Sequence, residues 1–84
     1  MTDSLGDLRA TLDEVGTRLG EALGYAETAR ARLADAVGLL SDLDAQYSEP
    51  LVPPALRRAG DELDRGRSLI SGGVAAVSAI GARL

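Results

Sequence analysis

Ser48-Glu49-Pro50-Leu51-Val52-Pro53-Pro54 holds all three prolines of the 84-residue chain, and this stretch decides the fold. Proline lacks an amide donor and turns the residue before it away from helix, so no helix runs through the segment. Proline also suits the first turn of a new helix, where amides have no partner anyway. The segment therefore predicts the end of one helix near Tyr47 and the start of another at Pro54.

Reading back from the prolines, alternating steps of three and four give Leu5, Leu8, Leu12, Val15, Leu19, Ala22, Ala26, Ala29, Leu33, Ala36, Leu40, Leu43 and Tyr47. About six heptads pass without a charge on this stripe, a period that strands cannot produce. Ser4 followed by Asp7 resembles an acidic capping box, which places helix 1 at about 5–47. Reading forward, Leu56, Ala59, Leu63, Gly66, Ile70, Gly73, Val77, Ile80 and Leu84 repeat the pattern, which places helix 2 at about 54–82. Arg57–Asp61 and Arg58–Glu62 stand at i,i+4 spacing, and Gly72-Gly73 marks the expected kink. The fold class is all-α: an antiparallel hairpin of two long helices in one domain.

The helices differ in length. At 1.5 Å per residue they run to about 65 and 44 Å. Hinged at the prolines, helix 2 would cover helix 1 only back to about Leu19. Leu5, Leu8, Leu12 and Val15 would then project into water, forfeiting roughly 1.5–3 kcal/mol each. Either a second copy covers them in a homodimeric four-helix, coiled-coil-like bundle, or the chain breaks near Gly16-Thr17 or Gly20 into three helices. The unbroken heptad phase favours the dimer, with Leu5, Leu8, Leu12, Val15 and Leu19 as its interface. Leu23, Tyr25, Val37 and Leu39 lie just off the stripe and widen it. They are the candidate surface for a further helical partner.

Composition narrows the chemistry. The chain has no Cys and no His, so thiolate, imidazole and disulfide chemistry are excluded. Its net charge is −4, against general affinity for nucleic acid or an anionic membrane. All nine basic residues are arginine, a bias expected of a high-GC bacterial genome. The uncharged run Ser68–Ala82 is shorter than the ~20 apolar residues a membrane span needs. No signal peptide is visible at the N-terminus, which predicts a cytoplasmic location.

Three smaller patterns have structural readings. Gly16, Gly20 and Gly24 form a small-residue stripe flanked by charges, which fits an outer face. Ala22, Ala26, Ala29 and Ala36 opposite Gly66 and Gly73 predict close packing or a small cavity. Asp42, Asp44 and Glu49 lack the spacing of a calcium loop, and Arg57 and Arg58 are near enough to balance them. No catalytic, cofactor-binding or metal-ligating set emerges.

Leu8-Arg9-Ala10-Thr11-Leu12-Asp13-Glu14-Val15 resembles the opening of the helical chorismate mutases. That resemblance implies an interlocked all-α dimer in which Arg9, with Arg30 or Arg32, binds the carboxylates of a dicarboxylic substrate. The family's lysine late in the first helix has no counterpart in this lysine-free chain, and the arginine spacing is displaced. The outline is also similar to the small Trp-x-Gly hairpins exported by actinobacterial secretion systems, whose turn motif and export signal are absent. The expectation is therefore a small non-enzymatic helical protein that acts through self-association and protein–protein contact. An enzyme resembling chorismate mutase is the alternative.

Overall fold

The computed structural model describes residues 4–84. It contains two α-helices, α1 (Ser4–Tyr47) and α2 (Pro54–Arg83), packed as an antiparallel hairpin. α1 is described from Ser4, and what precedes it lies outside the described residues. Asp7 sits in the first turn, where a negative charge favours the helix dipole. α1 is unbroken at Gly16, Thr17 and Gly20, so the three-helix arrangement is not formed. α2 likewise runs without interruption through Gly72-Gly73. A Cβ built at Gly16, Gly20 or Gly24 would meet nothing within 4 Å, so none of the three serves a close backbone approach within the chain.

The turn folds as the prolines require and does more than reverse the chain. Ser48 takes a positive φ of 57° and donates its amide to the Asp44 carbonyl at 2.8 Å, closing α1. The Asp44 carboxylate accepts the Leu51 amide. Val52, at 8% exposure, is the one buried large apolar side chain among the described residues. Pro53 is extended and Pro54 opens α2 at its first position.

These contacts shift the register between the helices. A Cβ at Gly60 would lie 3.7 Å from Leu33 Cδ2, and one at Gly73 would lie 4.0 Å from Leu19 Cδ1. Val37 and Gly38 share a groove with Leu56 and Arg57. Pro54 therefore stands level with about Gly38, not with Tyr47. Residues 48–53 travel back beside α1 by roughly 14 Å, a distance six extended residues at ~3.3 Å each can span. At the far end, Gly81 and Ala82 lie beside Arg9 and Leu12. The overhang expected from the lengths is thus corrected: α2 reaches back past Leu19 to Leu12, and at this end Leu5 and Leu8 extend past it.

The facing stripe differs by one heptad position from the sequence reading. On α1 the half-buried residues follow Leu12, Gly16, Leu19, Leu23, Ala26, Arg30, Leu33, Val37, Leu40 and Asp44, with Ala22 half-buried beside them. Leu12, Leu19, Ala26, Leu33 and Leu40 belong to both readings and can be called the central positions. The others, Ala22 apart, lie four residues after a central position rather than three. On α2 the central positions are Leu56, Leu63, Ile70, Val77 and Leu84, all half-buried.

Candidate interaction face

Two flanks border the contact between the helices, and their chemistry is opposite. Reversing a helix reverses its sense of rotation seen from one end, so equal heptad offsets on α1 and α2 fall on the same side of the pair. Offsets of one and four form one side. It carries Arg30, whose Nε donates to Asp64 Oδ1 at 2.9 Å, and Arg67, whose Nη1 reaches the same oxygen at 3.2 Å. Hydrogen bonding and charge from Arg30, reinforced by Arg67, hold the Asp64 carboxyl below its ordinary pKa. Arg67 Nε is buried without a hydrogen-bond partner. Three open grooves follow this side along the hairpin.

Offsets of three and six form the other side, and here the apolar residues stand in water. Leu8, Val15, Leu43 and Ile80 occupy offset three and are all exposed. Tyr25 (75% exposed), Leu39 (68%) and Leu69 (69%) occupy offset six. Leu5 and Tyr47, also exposed, are central positions beyond the reach of α2. Among the described residues, every exposed large hydrophobic side chain therefore lies on this one face or at its two ends. Ala22, Ala29 and Ala36 on α1, with Ala59, Gly66 and Gly73 on α2, form its shallow middle. Ala22, Ala59, Gly66 and Gly73 there are half-buried, while Ala29 and Ala36 are exposed, and a Cβ at Gly66 would meet nothing within 4 Å.

The candidate residues divide accordingly. Leu5, Leu8 and Val15 are exposed, whereas Leu12 and Leu19 are half-covered by α2. Tyr25 and Leu39 are exposed on the apolar face, while Leu23 and Val37 turn towards α2 on the polar side. Leu69 was not singled out from the sequence, although its heptad offset equals that of Tyr25 and Leu39.

The charged candidates also separate. Arg9 and Arg30 stand 21 positions apart on one continuous helix, about 32 Å, so within one chain they do not hold one small dicarboxylate. Arg30 is engaged by Asp64. The pairs Arg57–Asp61 and Arg58–Glu62 are not among the ion pairs formed by the described residues; Arg18–Glu14 at 3.1 Å is the exposed i,i+4 pair. Asp44 serves the turn. No group of three or more His, Cys, Asp or Glu among the described residues could hold a metal ion. No described helix is long and apolar enough to cross a membrane. Compared with protein-family models, curated proteins and solved structures, the chain matches none.

Proposed function

We propose that the chain works by association: it is a small helical interaction protein whose hairpin dimerises through the face bearing Leu8, Val15, Tyr25, Leu39, Leu43 and Leu69. The observation that carries this reading is the surface the single chain leaves uncovered. Its accessible area is 6154 Å², against about 4,700 Å² for a globular chain of 8.7 kDa. The surplus of about 1,400 Å² per copy falls in the range of obligate homodimers, which exceeds the ~800 Å² per partner of a standard interface. A dimer would bring each helix two neighbours, which is what two apolar stripes on α1 require. The test is mass in solution. Sedimentation equilibrium at micromolar concentration should give twice the chain mass, and Leu39→Glu with Leu43→Glu should return the protein to monomer or unfold it.

A further inference from the structure

We propose that two copies meet through the apolar face in antiparallel orientation, α1 on α1 of the partner, with the turn of each beside the open end of the other. This rests on the dimer reading above and adds its geometry. The area to be covered requires the whole length of the face, which only a full-length parallel or antiparallel overlap supplies.

Charge separates those two. From residue 33 to residue 60, which lies level with Leu33, the turn end holds four acids, Asp35, Asp42, Asp44 and Glu49, against Arg57 and Arg58. At the same depth of the open end, residues 4–18 and 74–84 balance three acids against Arg9, Arg18 and Arg83. Parallel packing would stack two tips that each carry a net negative charge. Antiparallel packing sets each net-negative tip beside a charge-balanced end that carries arginines, and the absence of like-charge repulsion favours the second arrangement.

Side-chain size agrees. The offset-three stripe of α1 runs Leu8, Val15, Ala22, Ala29, Ala36, Leu43, large at both ends and small in the centre. A two-fold axis crossing it between Ala22 and Ala29 places Leu8 by the partner's Leu43 and Ala22 by the partner's Ala29. Its midpoint is also the midpoint of α1, so the overlap is complete. The stripe is nearly symmetric in size about this axis, so an isologous contact sets like against like along its length.

The chain has no cysteine, so single-cysteine variants report contacts without background. Ala22→Cys and Ala29→Cys chains, mixed, refolded together and oxidised, should give the mixed disulfide dimer as the dominant product, because bridged Cα atoms stand within about 7 Å. Ala22→Cys mixed with Gly73→Cys should stay largely unlinked, as should Ala34→Cys alone on the polar side. Linkage of the Ala22→Cys and Gly73→Cys pair would establish the parallel arrangement and overturn the proposal. Dominant Ala34→Cys linkage would move the interface to the opposite side. Mass measured in parallel under reducing conditions keeps the two readings apart. A dimer in which Ala22→Cys and Ala29→Cys do not link refutes the geometry alone, and a monomer refutes the dimer.

Discussion

Ser48 shows how a single residue closes α1 at some cost. A left-handed backbone conformation costs an L-residue roughly 1–2 kcal/mol, and glycine escapes most of it. Ser48→Gly should therefore raise stability by up to about 1 kcal/mol in denaturant unfolding. Asp64 makes a second prediction at this scale. Its folded pKa is lowered by Arg30 and Arg67. The ion pairs therefore stabilise the fold above the unfolded carboxyl pKa and lose that contribution as pH falls through the lower folded value. Asp64→Asn should shrink the loss of thermal midpoint between pH 7 and pH 3; an unchanged loss would show that the pair does not contribute. The sequence could not disclose this pair, since Arg30 and Asp64 are 34 residues apart and come together only through the register.

At the scale of the element, both helices were legible, and the physical reasons are plain. An unbroken heptad pattern over forty residues and three clustered prolines leave little freedom, and Pro54 opens α2 as its fixed φ dictates. What was not legible was the path of residues 48–53. Length arithmetic treats a turn as a hinge, whereas Asp44 and Val52 draw this one back beside α1. The choice of flank was hidden for a related reason. Leu8, Val15 and Leu43 make offset three the more apolar stripe, yet α2 packs over offset four, with Gly16, Leu23, Arg30 and Val37. Pattern counting finds apolar positions and cannot say which neighbour each one meets. Two substitutions test the assignment by chemical denaturation. Leu63→Ala, at a central position of α2, should cost roughly 2–5 kcal/mol. Gly72→Ala, at an exposed position where an added Cβ meets nothing within 4 Å, should gain about 0.8–1.0 kcal/mol from helix propensity. Equal effects at both sites would mean that the facing stripe has been misplaced.

Taken whole, the hairpin is a rod of 69 × 16 × 14 Å. Its radius of gyration is 19.4 Å, where a compact chain of this length would have about 12 Å. Such a shape has little interior, and among the described residues no large side chain is fully buried. Hydrophobic burial must offset the entropy of ordering more than eighty residues, and one pair of helices leaves Tyr25, Leu39 and Leu69 mostly in water. If the proposed dimer forms, stability is tied to assembly, and dilution should lower the thermal midpoint. The central claim is that the apolar face is covered by a second copy. Sedimentation equilibrium of the full chain at micromolar concentration tests it most directly. The account predicts a single species of twice the 8.7 kDa chain mass; a monomer that remains fully helical and unfolds cooperatively, with a midpoint independent of concentration, would contradict it.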